Sequence, residues 1–160
     1  MGRSVSHTLM KKISALIFLI TLTSGCVSIQ IPEYIQDHHP YKKEFTAAFD
    51  KTLAATKQAL AGLGWRILKS YQPGVFEQTP VPAGEEQLLL FTESKQSYRF
   101  LFSRYSRLNI YLRSLKDTTE VEIRYAVLTP LPMKSLKSYR NDRLVRQLFR
   151  QIEVQLQTSK

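Results

Sequence analysis

The chain has 160 residues, of which 43% are hydrophobic and 22% charged, with a formal net charge of +10. Those proportions describe an ordinary globular protein with one modest core, and the sequence shows no internal repeat or low-complexity tract. The single cysteine rules out a disulfide within the chain, so stability has to come from packing.

The first segment is a basic leader (Arg3, Lys11, Lys12) followed by an almost wholly apolar run from Ile13 to Leu22. It closes on Thr23-Ser24-Gly25-Cys26. A basic start, a short apolar middle and a small-residue end are the three parts of an export signal. The apolar run is about half of the ~20 residues a bilayer-spanning helix needs, which disfavours a transmembrane anchor. An ordinary cleaved signal with a chance cysteine is the other alternative. The ending resembles the lipobox of bacterial lipoproteins, in which small residues precede a cysteine that is diacylated, exposed by cleavage and N-acylated. Thr23 stands where Leu is most frequent in that motif. The resemblance implies a signal peptide over residues 1–25, a palmitate-type anchor on Cys26 and a lipid-anchored address in the envelope. In Gram-negative lipoproteins an Asp after the cysteine commonly retains the protein in the inner membrane. Val27 in that place implies the outer membrane, with the domain facing the periplasm.

Residues 26–40 read as the lipidated cysteine and a tether, because Pro32 and Pro40 limit helix formation. The tether carries Ile29, Ile31, Tyr34 and Ile35, which are expected to cover part of the domain's own core. A single domain is then expected over residues 41–160. Its first helix should run from about Tyr41 to Leu63, with Phe45, Phe49, Leu53, Thr56, Leu60 and Leu63 as its inward stripe and Gly64 as its C-terminal cap. Short strands are expected at Trp65 to Lys69 and Val75 to Thr79, joined through Pro73-Gly74, then at Gln87 to Thr92 and Tyr98 to Ser103. The clearest signal is period-two alternation on both sides of Lys116-Asp117-Thr118-Thr119. Leu108, Ile110 and Leu112 precede it, and Val121, Ile123, Tyr125 and Val127 follow. That is a hairpin with one apolar face. Pro130 and Pro132 should end the last strand. A second helix is expected to begin between Ser138 and Asn141 and run to about Gln157, with Leu144, Val145, Leu148, Phe149, Ile152 and Leu156 inward. The fold class expected is α+β: a two-layer domain, an antiparallel sheet of about four to five strands with the N-terminal and C-terminal helices on one face.

The charge is concentrated late in the chain. Between Lys95 and Arg150 thirteen Lys and Arg face four acids. Such a surface attracts anionic lipids, phosphorylated glycans or an acidic protein face. Export argues against nucleic acid, the usual partner of a basic cytosolic protein. Arg99, Arg104 and Arg107, interleaved with Tyr98, Phe100, Phe102 and Tyr105, and Arg143, Arg146 and Arg150 on the second helix are candidate ligand-binding residues if they converge in space. Otherwise they are solvated faces. His38-His39 after Asp37 falls short of the three or four ligands of a zinc site, so neither a metal nor another cofactor is expected. No phosphate loop, nucleophile elbow or Cys/His pair is present. The pattern points away from an enzyme; a hydrolase would require acids or His38-His39 in a deep pocket.

The order of elements over residues 41–128, an amphipathic helix, Gly62-Leu63-Gly64-Trp65, a strand, a Pro-Gly turn and alternating strands, is similar to the α/β domains of small envelope lipoproteins. Lipoprotein component C of the outer-membrane β-barrel assembly machinery is one of these. Two such domains and a longer leader occur there, whereas this chain has room for one. The resemblance implies an accessory or scaffolding domain that binds another envelope component. The alternative is a binding module for anionic lipid or glycan.

Overall fold

A computed structural model describes residues 31–77, 84–99, 102–131 and 134–158. The signal segment, Cys26 and residues 27–30 lie outside the described residues. A compact unit spans Ile31–Lys160.

Two long strands, β5 (Phe102–Leu115) and β6 (Thr118–Leu131), form the axis of the unit. They pair antiparallel from Leu115↔Thr118 out to Tyr105↔Leu128, around a two-residue turn with Lys116 at φ 50°. This is the hairpin that the alternation implied. On the outer side of β6, β1 (Tyr41–Phe45) covers Thr119 to Ile123, and β7 (Lys134–Ser138) covers Val127 to Leu131. On the outer side of β5, β3 (Gln87–Thr92) pairs with Asn109 to Arg113, β2 (Ile67–Tyr71) adds beyond β3, and β4 (Lys95–Arg99) pairs with Phe102 to Ser106. The sheet therefore has seven antiparallel strands, more than the four to five expected.

Two helices lie on one face: α1 (Phe49–Gly62) and α3 (Asp142–Thr158), with the one-turn α2 (Gly74–Glu77) between them in sequence. Leu108, Ile110, Leu112, Val121, Ile123, Tyr125 and Val127 point to this face and join Ala59, Leu60, Val145, Leu148 and Ile152 in one core. Burying each large apolar side chain contributes about 1.5–3 kcal/mol. The fully buried positions of α1 include Thr52, Ala55, Thr56 and Ala59, small residues that suit the close passage of α1 along α3. The threonine hydroxyls donate to carbonyls one turn back, Thr52 to Ala48 at 3.1 Å and Thr56 to Thr52 at 2.7 Å, which satisfies them in the core. The C-terminus of α1 and the N-terminus of α3 are capped. At the C-terminus of α1 the Trp65 and Gly64 amides donate to Leu60 and Ala61 with Gly64 at φ 70°, a Schellman pattern. Lys95 Nζ donates to the Leu63 carbonyl at 2.9 Å and sits 4.3 Å over the Trp65 ring. Burial pulls its pKa down from the ordinary value. Asn141 caps α3, its Oδ1 accepting the Leu144 amide at 3.2 Å.

Four sequence expectations need correction. The helix expected from Tyr41 starts only at Phe49, because Tyr41–Phe45 finds ladder partners on β6 and forms an edge strand. Phe45 is still buried, from β1. The strand expected from Val75 is the turn α2 over its described part: Phe76 and Glu77 amides both donate to the Pro73 carbonyl at 2.8 Å, and a proline at a helix start favours that winding. The strand expected across Tyr98 to Ser103 is instead the meeting of β4 and β5, with Arg99 opposite Phe102. Pro130 does not end β6. Its pairing with β5 stops at Leu128, so Pro130 has an open side, the kind of place in a sheet that accepts proline.

The second face of the sheet is also covered. Residues 31–40, expected as a tether, run across it, and Ile35 is fully buried. All residues from Val121 to Leu128 are buried, on both faces of β6.

Candidate functional site

The second face carries the chemistry. Alternation on β5 and β6 aims Arg107, Asn109, Tyr111, Arg113, Glu120, Glu122 and Arg124 away from the helices. Segment 31–40 and α2 close over them. The Ile35 amide donates to Asn109 Oδ1 at 2.6 Å, Asn109 Nδ2 donates to the Glu33 carbonyl at 3.1 Å, and Arg107 Nη1 donates to the Ile31 carbonyl at 3.1 Å. These bonds satisfy the backbone of a segment with no regular structure of its own. Beside them Phe76 stacks on Tyr34 with ring centroids 5.2 Å apart, and it also meets Tyr71 and Phe91.

At the centre of this face is a buried ionic cluster. Arg124 Nε donates to Glu122 at 2.5 Å and Arg124 Nη1 to Glu77 at 2.6 Å, with the Arg124 side chain 8% exposed. The same Nη1 donates to the Tyr34 hydroxyl at 2.8 Å, and Tyr34 donates to Glu77 at 2.8 Å. Lys42 from β1 reaches Glu122 at 3.0 Å, and Arg113 reaches Glu120 at 2.9 Å. Burial pulls the Arg124 guanidinium down, but the Glu77 bond and the Glu122 charge outweigh it and hold its pKa above the ordinary value. Burial, then the bond to Glu77, push the Tyr34 hydroxyl up. With each charge matched and hydrogen-bonded, the cluster ties α2, segment 31–40 and the sheet together.

Next to the cluster is an open groove of about 830 Å³ between segment 32–39 and the stretch 137–140. Asp37, His38 and His39 line one side, and Lys137, Ser138, Tyr139 and Arg140 the other. Arg140 ties the walls: its Nη1 donates to the His39 carbonyl at 3.2 Å, and its guanidinium lies 4.9 Å over the Tyr41 ring. Tyr41 donates to Asp142 and accepts the Asn141 amide at 3.1 Å, which places the start of α3 against β1. Asp37 Oδ1 accepts the His39 amide at 3.0 Å, while its Oδ2 is buried without a hydrogen-bond partner. Two cations and two imidazoles against one carboxylate make the groove suited to anions. Among the described residues, no group of three or more His, Cys, Asp or Glu is placed to hold a metal ion.

The arginines singled out from sequence do not converge. Arg107 faces segment 31–40, and Arg104, three residues earlier on β5, falls on the opposite face of the strand. Arg99 lies opposite Phe102 at the meeting of β4 and β5, and its side chain is outside the described residues. Arg143, Arg146 and Arg150 are exposed on α3, across the sheet from Arg107. Sequence reasoning missed the Tyr34, Glu77, Glu122 and Arg124 cluster and the contribution of Lys137 and Arg140. The available signal was the apolar content of residues 31–35, which needed a second sheet face to pack on.

No protein-family model matches the chain, and no curated protein matches it. Among solved structures it is similar to the vertebrate conserved region of human METTL16, at 15% identity and a TM-score of 0.41, over 75% of this chain and 96% of that one.

Proposed function

We propose that the chain is an exported envelope lipoprotein, anchored through Cys26 to the periplasmic side of the outer membrane, whose domain acts by binding another envelope component. The observation that carries this reading is the leader that ends in Leu22-Thr23-Ser24-Gly25-Cys26, five residues before the compact unit begins at Ile31. A domain held this close to a membrane meets other envelope components at high effective concentration, so modest contacts suffice for an accessory or scaffolding role.

The groove supports a non-catalytic reading. It opens to solvent, and it holds one carboxylate, Asp37, where an acid/base pair needs a second positioned group. A second reading, binding of anionic lipid or glycan, draws on the cationic lining of the same groove. Salt separates the two. Phosphate-dominated binding weakens steeply with ionic strength, and apolar docking does not.

Cys26→Ala tests the address. The variant should lose the cleaved, acylated form from the detergent-extracted membrane fraction. Unchanged cleavage and fractionation would refute the anchor. Crosslinking in intact cells should capture an envelope component in a manner that depends on Cys26.

A further inference from the structure

We propose that the end of the sheet at which Ile31 enters the unit lies flat on the anionic surface of the bilayer that holds the anchor. This deepens the reading above and rests on it. Cys26 precedes Ile31 by five residues, a span of at most about 18 Å at 3.3–3.6 Å per residue. Ile31 is held by Arg107 on β5, and it lines a small depression with Ala126, Leu128, Lys137 and Tyr139. The lipid foot is therefore confined near the end of the unit formed by the start of β5, the end of β6, β4 and β7.

That end has a distinct charge. Residues 96–107 and 129–139 carry Arg99, Arg104, Arg107, Lys134 and Lys137 and no acid. The opposite end, Arg113 to Glu122 around the β5–β6 turn, carries Arg113 and Lys116 against Asp117, Glu120 and Glu122. The two ends stand roughly 40 Å apart, given 14-residue strands at about 3.3 Å per residue. The cationic end also displays apolar and amphipathic side chains to solvent: Tyr98 at 77% exposure, Leu136 at 48% and Tyr139 at 39%. Tyrosine rings suit the headgroup level, where one side is apolar and the other wet. Arg99, Arg104 and Arg107 need not form a pocket for this role. A planar anionic surface needs cations at one end of a rigid body, and β4, β5 and β7 place them there.

The test uses the cleaved, acylated protein reconstituted in vesicles, with single spin labels at Ser97→Cys, Ser138→Cys and Asp117→Cys. In vesicles rich in phosphatidylglycerol, the labels at 97 and 138 should lose access to a water-soluble relaxant, and the label at 117 should keep it. Phosphatidylcholine vesicles or high salt should return all three to full access. Adding Arg104→Glu and Lys137→Glu should weaken the protection by roughly fivefold for each charge removed, and reversal should add to this. Equal access at the three positions on vesicle-bound protein would overturn the docking while leaving the anchor intact, and would return the cationic end to an acidic protein or glycan partner. Protein that fails to float with either vesicle would overturn the anchor, and the docking with it.

Discussion

Arg124→Met is expected to lower the free energy of unfolding by about 3–5 kcal/mol, the cost of leaving buried charge without its partner. Arg124 serves Glu122, Glu77 and the Tyr34 hydroxyl at once, and its own side chain is only 8% exposed. Lys42 remains on Glu122 in the variant but reaches it from a half-exposed position, so it offsets only part of the loss. Glu77 on α2 loses its ion pair with β6. Adding Glu122→Leu to Arg124→Met should recover part of the stability, because two apolar side chains that fill the site cost less than one orphaned carboxylate. Urea unfolding of the two single variants and the double variant measures the coupling directly. A single-variant change below about 1 kcal/mol would mean that the cluster is solvated and does not hold the second face together.

The second large effect is expected at Ile35. Its side chain is fully buried and its amide donates to Asn109, although it lies in a stretch that reads as a tether. Ile35→Ala should cost about 2–5 kcal/mol, the range for emptying a closed core site. A residue in a free linker would change stability by less than about 0.5 kcal/mol. Thermal melts of the purified protein distinguish the two. Amide exchange adds a second readout, since the Ile35 N–H should be protected as strongly as the adjacent strand amides.

These two residues also show where the sequence was legible. The β5–β6 hairpin was, because one face packs on helices and the period-two pattern survives in Leu108, Ile110, Leu112, Val121, Ile123 and Tyr125. The Gly64 cap, the strand Gln87–Thr92 and the second helix from Asp142 were legible for the same kind of local reason. What escaped depended on partners distant in sequence. Tyr41–Phe45 fits the helical stripe that follows it and becomes a strand only because Thr119 to Ile123 offers a ladder. Lys134–Ser138 lies behind two prolines and becomes a strand only on the open side of β6. Glu122 and Arg124 alternate like solvated strand residues, and nothing local says that Tyr34 and Glu77 will cover them. The candidate arginines failed to converge for a simpler reason. Residues 104 and 107 differ by an odd number along a strand, so they point to opposite faces.

The anchor and the membrane-facing sheet end both depend on the state of one side chain. Mass spectrometry of the protein taken from its own membranes should find the chain starting at Cys26, its sulfur diacylated and its amine acylated. An intact leader, or an unmodified thiol on Cys26, would contradict the anchor and the membrane-facing sheet end together.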